Sequence, residues 1–205
     1  EDFLPLSKSE RKKFYYALRQ EHAYNYQKWT ATEEAATLYF LMKTGFNGIW
    51  QINKNTNGRF GTPSGLLNQK DKVYDYDNVM EWHEALQKCT LISGDFTDCL
   101  EYAQPNSFAF LDPPYRGSFT QYGVDFDDTL QQKVIKLLND LTSAGSHVIM
   151  SNRDVGDGFF ESRQGDNDLV YFDVTYTAGR RKKNTDGTHS AKKAREILMI
   201  GEHNG

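Results

Sequence analysis

The sequence predicts an α/β protein in which an open sheet, with helices on both faces, follows a mostly helical region that carries a β-hairpin. Three observations support this prediction. Short apolar strands alternate with helical segments after residue 90. Helical patterns interrupted by one hairpin signal occupy the part before it. The 205 residues are enough for one large domain or for a domain with a sizeable insertion.

The first region is expected to begin with two helices. The first covers residues 7–28, where Ser7 or Ser9 can cap the N-terminus and apolar residues recur at helical spacing. The second begins near Thr32, which is followed by two acidic residues that suit the positive end of the helix dipole. Gly45 is expected to end this second helix, because glycine is the residue most often found just after a helix C-terminus.

A β-hairpin is expected between these helices and a third helix over 77–88. Residues 49–52 are strand-forming, Asn57-Gly58 is a favoured hairpin turn, and Arg59-Phe60 begins the return strand. A loop rich in Gly, Pro, Ser and Asn then covers 61–70.

The second region has apolar strands that indicate a sheet buried between layers. Five strands are expected, over 90–93, 107–111, 147–150, 170–174 and 196–200. An amphipathic helix is expected over 130–144. Ligands bind beyond the carboxyl ends of the strands in such sheets. The polar residues expected at that edge are Asp95, Asp112, Ser151 and Asn152. The change of composition near residue 90 predicts a domain boundary between 1–89 and 90–205.

The charge distribution leaves a nucleic-acid function open although the net charge is −4, because basic residues cluster near the C-terminal end. They are Arg180, Arg181, Lys182, Lys183, Lys192, Lys193 and Arg195. The sequence predicts neither a membrane span nor a signal peptide, so a cytoplasmic protein is expected. Its cysteines and histidines show no ligand spacing, so no metal site is expected.

The four-residue segment Asp-Pro-Pro-Tyr after the second predicted strand suits the activation of an amine. An exocyclic amine on a base is a poor nucleophile, because its lone pair is delocalised into the ring. Two acceptors for its hydrogens localise that lone pair, and a carboxylate followed by a main-chain carbonyl can supply both. Proline there fixes φ and has no N–H to compete, while an aromatic ring can stack on a base rotated out of a duplex. The predicted catalytic residues are therefore Asp112, Pro113, Pro114 and Tyr115.

A plain turn after a strand is the alternative interpretation of this segment. One specified string of four residues is expected by chance in roughly one chain per thousand of this length. Its position directly after an apolar strand makes chance less frequent still, which favours the chemical interpretation.

Six segments carry the motifs of one family, and they occur in that family's order along nearly the whole chain. They are 46–48, 61–65, 94–96, 110–115, 148–152 and 192–198. The fourth, Phe-Leu-Asp-Pro-Pro-Tyr, resembles motif IV of amino-methyltransferases, and the chain as a whole resembles the Dam-type DNA adenine methylases. The resemblance implies a Rossmann-like methyltransferase sheet. It also implies methyl transfer from S-adenosylmethionine to adenine N6 in duplex DNA by base flipping.

The same resemblance implies two binding regions. Asp95, Phe96 and Asp112 would border the S-adenosylmethionine pocket. The hairpin would read DNA, because Asn and Gln pair well with adenine, Arg with guanine and Lys with phosphate. The expected DNA-binding residues are Asn47, Gln51, Asn53, Lys54, Asn55, Arg59, Pro63, Tyr122, Arg180, Arg181 and Lys182. A monomer or weak dimer is expected.

Two departures from the family pattern leave alternatives open. The sequence has no counterpart of the Gly-rich loop and the acidic strand end that hold the donor. Either an N-terminal segment is missing, or another chain supplies it, or the chain does not bind the donor. Gln51 stands where related enzymes often have Arg, so the recognition sequence stays open. The alternatives are a catalytically incomplete DNA-binding relative, or an amino-methyltransferase that acts on cytosine N4 or another amine.

Overall fold

The computed structural model of the protein describes residues 3–65, 72–117, 125–176, 182–183, 189–190 and 192–202. These residues form two compact units, which separate between Ile92 and Ser93. The first unit contains three helices and a hairpin, and the second contains a four-stranded sheet. No helix in the described ranges is both long and apolar enough to cross a membrane.

The first unit contains three helices, and side chains cap the N-termini of the first two. Their bounds are Lys8–Asn25 for α1, Ala31–Thr44 for α2 and Tyr76–Leu86 for α3. Ser7 and Glu10 form a reciprocal capping box at α1, and Thr30 and Glu33 form another at α2. Each box satisfies backbone N–H groups that the first turn leaves without partners. All three predicted helices are confirmed, although α1 is shorter than predicted because residues 26–28 form a separate 3-10 turn.

The hairpin has shorter strands than the sequence predicts. Its strands are β1 (Ile52–Asn53) and β2 (Arg59–Phe60), which pair antiparallel. Asn57 and Gly58 turn the chain with φ values of 53° and 69°, in the left-handed region that these two residue types tolerate best. The predicted strand over 49–52 is wrong except for its last residue.

The second unit is built on a mixed sheet. Its strands are β3 (Phe108–Leu111), β4 (His147–Asp154), β5 (Asp168–Tyr176) and β8 (Lys192–Gly201), with a separate pair β6 (Lys182–Lys183) and β7 (His189–Ser190). The strand order is β3-β4-β8-β5. β3 and β4 run parallel, and β8 runs antiparallel to both β4 and β5. The predicted α/β, Rossmann-like sheet is confirmed.

One helix, α4 (Asp128–Ser143), covers the buried face of this sheet. The core between them contains Leu138, Val148, Met150, Ile197 and Met199, all with no exposed surface. The alternate residues Phe108 and Phe110 point to the other face and are 65% and 56% exposed. The described helices of this unit therefore bury one face of the sheet, and the parallel pairing of β3 with β4 places their carboxyl ends side by side.

The predicted strand over 90–93 is wrong. These residues have no strand conformation, and Leu91 and Ile92 are 75% and 53% exposed. A strand requires a neighbour for its N–H and C=O groups. Within the described residues, no strand pairs with this segment.

Candidate functional site

The parallel ends of β3 and β4 place two polar side chains together. Leu111 pairs with Met150, so the next residues along the chain, Asp112 and Ser151, lie side by side. The Ser151 hydroxyl donates to Asp112 Oδ1 at 2.7 Å. Burial raises the pKa of the Tyr115 phenol. A hydrogen bond between the phenol and Ser151 lowers this pKa and partly offsets the rise. Ser151 thus links the first and last residues of the Asp112–Tyr115 segment.

The backbone of the same segment is held by two buried amide side chains. Gln131 on α4 donates from Nε2 to the carbonyl of Pro114 at 2.7 Å. Asn152 on β4 accepts from the backbone N–H of Arg116 at 3.0 Å. Gln131 and Asn152 also bond to each other at 2.9 Å.

Arg116, directly after the segment, has a buried guanidinium that pairs with two carboxylates. It makes two hydrogen bonds of 2.8 and 2.9 Å with Asp128, and two of 2.9 Å with Asp157. Its guanidinium carbon lies 3.8 Å from the ring centroid of Phe159. Hydrogen bonds from Arg116 hold the pKa values of Asp128 and Asp157 below their ordinary range. This cluster ties the start of α4 to the loop after β4.

Gln131 and Arg116 belong to no motif identified in the sequence. Gln131 nevertheless carries a signal, because it is a polar residue at helical spacing from the buried Val134 and Leu138. A polar residue in an apolar stripe needs a buried partner. Arg116 has no comparable signal, because its partner Asp157 lies 41 residues away.

A cavity of about 380 Å³ lies beside the segment. Residues that line it include Phe96, Phe110, Asp112, Pro113, Pro114 and Phe126. Phe96 and Phe126 are tilted rings with centroids 6.3 Å apart. Apolar and aromatic walls with one carboxylate at the edge suit a flat heterocycle.

The three residues predicted to border the donor pocket are placed differently from one another. Phe96 and Asp112 line the cavity, whereas Asp95 is not among the residues that line it. Asp95 caps the 3-10 helix Phe96–Tyr102 instead and accepts from the backbone N–H and hydroxyl of Thr97, at 2.9 and 2.6 Å. These hydrogen bonds lower the pKa of Asp95. Asp95 therefore fixes the turn that carries Phe96.

The hairpin of the first unit is held against α1 by hydrogen bonds. The Tyr15 hydroxyl donates to the carbonyl of Thr62 at 2.9 Å, and Arg19 donates to the carbonyls of Gly61 and Thr62 at 2.9 Å. Gly61 permits a close approach of the two strands, because a Cβ there would lie 2.2 Å from that of Asn53. Tyr15 has no exposed surface, and burial raises its pKa. The base of the hairpin is therefore a rigid support.

Substitution of Tyr15 by phenylalanine is expected to lower the free energy of unfolding by about 1 kcal/mol. The loss is moderate because Arg19 still donates to the Thr62 carbonyl. Chemical denaturation measures it, with Tyr24→Phe as a control at a hydroxyl on a half-exposed ring. Equal stabilities of the two variants would show that the hydrogen bond from Tyr15 to Thr62 does not stabilise the hairpin on α1.

The residues predicted to bind DNA through the hairpin have different environments. Lys54 and Asn55 are exposed, whereas Gln51 and Asn53 are half-buried. Asn53 Oδ1 accepts from the backbone N–H of Asn55 at 2.9 Å. Arg59 stacks 3.4 Å from the ring centroid of Tyr26. The exposed turn is thus the part most available to another molecule.

The remaining predicted residues lie at the entry and exit of the hairpin or elsewhere in the chain. Asn47 is exposed with φ of 53°, which its residue type tolerates. Pro63 is exposed, and its carbonyl accepts from the N–H of Phe46 at 2.9 Å. The residues outside the described part of the chain are Tyr122, Arg180 and Arg181, together with the side chain of Lys182.

His22 is a buried residue of α1. Its side chain is 1% exposed, and neither ring nitrogen has a hydrogen-bond partner among the residues that the structure describes. Glu34 Oε1 lies 3.6 Å from Nε2, and the same oxygen lies 4.0 Å from Arg59. Burial lowers the pKa of His22 from 6.5, although Glu34 opposes the shift. Because the pKa of His22 is lower in the folded protein, the unfolded chain binds the proton at a higher pH than the folded protein does.

Acidification is therefore expected to destabilise the protein through His22. The unfolded state binds more protons below about pH 6.5, so stability falls as pH drops through that value toward the lower folded pKa. Denaturation at about pH 7.5 and about pH 5.5 should show a smaller loss for His22→Phe than for the unchanged protein. The exposed His83→Phe serves as control. Identical losses in all three proteins would exclude this role.

Comparison with known proteins gives one consistent result. Residues 2–157 match the family model of the D12 class N6 adenine-specific DNA methyltransferases. The type II methyltransferase M.MjaIII of Methanocaldococcus jannaschii is 29% identical over 98% of this chain and 68% of its own length. The Retron Ec67 DNA adenine methylase of Escherichia coli is 31% identical over 68% of this chain and 48% of its own length.

A third relative is the DNA N-6-adenine-methyltransferase of Escherichia phage P1. It is 29% identical over 67% of this chain and 18% of its own length. The chain therefore spans about two thirds of the archaeal relative and about half or less of the other two. The family match includes the Asp112–Tyr115 segment and the hairpin. The chain belongs to the D12 class N6 adenine-specific DNA methyltransferases, a family of enzymes that transfer a methyl group from a donor to adenine in DNA.

Proposed function

We propose that this chain carries the adenine-binding and DNA-recognition parts of a site-specific methyltransferase that uses S-adenosylmethionine and acts on adenine N6 in duplex DNA. The observation that carries the proposal is the Asp112 carboxylate at the end of β3, held by Ser151 beside a cavity that Pro113 and Pro114 also line. The carboxylate is proposed as one acceptor for the amine, and the main-chain carbonyl of Pro113 as the other.

In the proposed reaction, the target adenine leaves the duplex and its N6 amine enters the site. Asp112 accepts one amine hydrogen, and the Pro113 carbonyl accepts the other. The nitrogen lone pair then becomes available for attack. S-adenosylmethionine supplies a methyl group that already carries a good leaving group, so orientation contributes more than a strong base. After transfer, Asp112 receives the proton that the nitrogen loses.

Tyr115 is proposed to stack on the flipped base. Its ring is half-buried, and its phenol shares a hydrogen bond with Ser151, so the ring has a fixed orientation. Stacking on an aromatic side chain offsets part of the cost of removing a base from the duplex.

The cavity is proposed to take the heterocyclic part of the donor. Phe96 and Phe126 provide aromatic walls, and the exposed carboxylate of Asp95 lies at the start of the turn that carries Phe96. Because the chain spans only part of its relatives, donor binding by this chain is itself part of the proposal.

DNA recognition is proposed to centre on the hairpin turn. Exposed Asn55 would meet a base edge, and exposed Lys54 a phosphate. The other residues proposed to contact DNA are Asn47, Gln51, Asn53, Arg59, Pro63, Tyr122, Arg180, Arg181 and Lys182. A cytoplasmic location suits a substrate that is DNA.

Transfer of a labelled methyl group tests this function. The chain is incubated with labelled S-adenosylmethionine and an adenine-containing duplex, or with a duplex in which purine, which lacks the amine, replaces adenine. Label in the first duplex alone is expected. Equal label in both would indicate another amine such as cytosine N4. DNA binding without donor binding or transfer would favour a catalytically incomplete relative.

A further inference from the structure

The Asp112–Arg116 segment lacks the means to fix its own backbone. Two of its five residues are prolines, so only Asp112, Tyr115 and Arg116 carry an N–H group. Any turn in this segment therefore has few backbone hydrogen bonds of its own to stabilise it. A site that must present a carboxylate and a carbonyl in one orientation requires support from outside the segment.

Gln131 and Asn152 supply this support at the C-terminal side of the two prolines. Gln131 Nε2 donates to the Pro114 carbonyl, and Asn152 Oδ1 accepts from the Arg116 N–H, at 2.7 and 3.0 Å. The two amides bond to each other through Asn152 Nδ2 and Gln131 Oε1, at 2.9 Å. Asn152 Oδ1 also accepts from the N–H of Arg153 at 2.8 Å.

The hydrogen bonds that join Pro114, Gln131, Asn152 and Arg116 form a relay. The donor and the acceptor of each of these bonds are determined. The Pro114 carbonyl can only accept, so Gln131 must turn its NH₂ toward it and its oxygen toward Asn152. Asn152 must then present its own oxygen to the two backbone N–H groups. Gln131 and Asn152 are 1% and 0% exposed, so water does not compete for these bonds. The amide groups of Gln131 and Asn152 therefore each have a single orientation in the relay.

We propose that Gln131 and Asn152 are positioning residues for methyl transfer, which hold the Pro113–Pro114 turn in the orientation that presents both acceptors to the amine. The proposal rests on the proposed function. β4 then supports the site twice, because Ser151 holds the Asp112 carboxylate and Asn152 holds the backbone that follows. α4 takes part through Gln131.

The test uses Gln131→Met, which keeps the length of the side chain and removes the donor. Single-turnover methyl transfer by the full chain is expected to fall about tenfold to a hundredfold, with KM for DNA changed less than about threefold. Gln132→Met, at the exposed neighbouring position of α4, is expected to retain the original rate. An unchanged rate in Gln131→Met would overturn the proposal.

A second variant separates positioning from loss of stability. Asn167 is also a buried amide of this unit, and it bonds to Asn139 and to the carbonyl of Gln164, at 2.9 and 2.7 Å. Asn167→Ala is expected to lower Tm while the single-turnover rate stays the same. If this variant slowed transfer as much as Gln131→Met, stability would explain both effects and the proposal would fail.

Hydrogen exchange provides a measurement that does not depend on activity. In Gln131→Met, the Arg116 N–H is expected to exchange faster, while amides in the centre of β8 keep their protection. Unchanged exchange at Arg116 would overturn the proposal. Absence of transfer by the unchanged protein would instead overturn the proposed function, and the exchange comparison alone would then decide whether the relay holds the turn.

Discussion

Substitution of Asp112 by alanine is expected to reduce methyl transfer to adenine by about a hundredfold to a thousandfold. The variant removes one of the two acceptors proposed to localise the amine lone pair, and it also removes the group proposed to receive the proton. The Asp112 side chain is exposed and bonds to Ser151, so its loss leaves the core unchanged. Folding and DNA affinity are therefore expected to change little.

Single-turnover rates and DNA-binding titrations check this result together. Asp140→Ala is a suitable control, because Asp140 is also an acidic residue of the second unit and pairs with the exposed Lys136 on α4. The control is expected to transfer methyl groups at the original rate. Undiminished transfer by Asp112→Ala would exclude the proposed role of this carboxylate.

Substitution of Arg116 by methionine is expected to lower the free energy of unfolding by about 2 kcal/mol. Arg116 is 8% exposed and makes charge-assisted hydrogen bonds to two carboxylates. Loss of a partner from a fully buried pair costs more than this. The carboxylates of Asp128 and Asp157 are 58% and 47% exposed, so water solvates them in the variant and limits the loss.

Arg163→Met is the matched control for this variant. Arg163 stacks on the same ring, with its guanidinium carbon 3.9 Å from the centroid of Phe159, and it donates to the Phe159 carbonyl. A loss below about 1 kcal/mol is expected for it. Equal losses in the two variants would show that stacking on Phe159 stabilises the unit and that the carboxylate pairs contribute nothing.

The pH dependence of the Arg116 effect has a definite sign. The pKa values of Asp128 and Asp157 are lowered from 3.8 by hydrogen bonds from Arg116, so their contribution is present above that value. As pH falls below about 3.8 toward the folded pKa values, protonation removes the contribution. The difference in stability between the unchanged protein and Arg116→Met is therefore expected to shrink in acid.

Local signals in the sequence predicted the helices and most of the sheet. Ser7, one of the two predicted caps, begins α1, whereas α2 is capped by Thr30, two residues before the Thr32 near which its start was predicted. The strand predicted over 90–93 failed, because its apolar residues indicate a strand only when a neighbouring strand is available to pair with it. Such a partner is a property of the tertiary structure.

The candidate site shows the same division between local and tertiary information. The side-by-side position of Asp112 and Ser151 follows from polar residues at the ends of two parallel strands. The pairing of Arg116 with Asp157 depends on residues 41 positions apart. The stacking of Arg59 on Tyr26 likewise joins residues 33 positions apart, and the contact of Arg59 with a base stays a prediction. Composition and spacing give no indication of such distant contacts.

The identity of the methylated nucleoside tests the central claim most directly. Duplex DNA incubated with the full chain and S-adenosylmethionine is digested, and its nucleosides are analysed by mass spectrometry. The two acceptors proposed at Asp112 and Pro113, in a chain of the D12 class, predict N6-methyl-2′-deoxyadenosine as the product. N4-methyl-2′-deoxycytidine, or DNA without any methylated nucleoside, would contradict it.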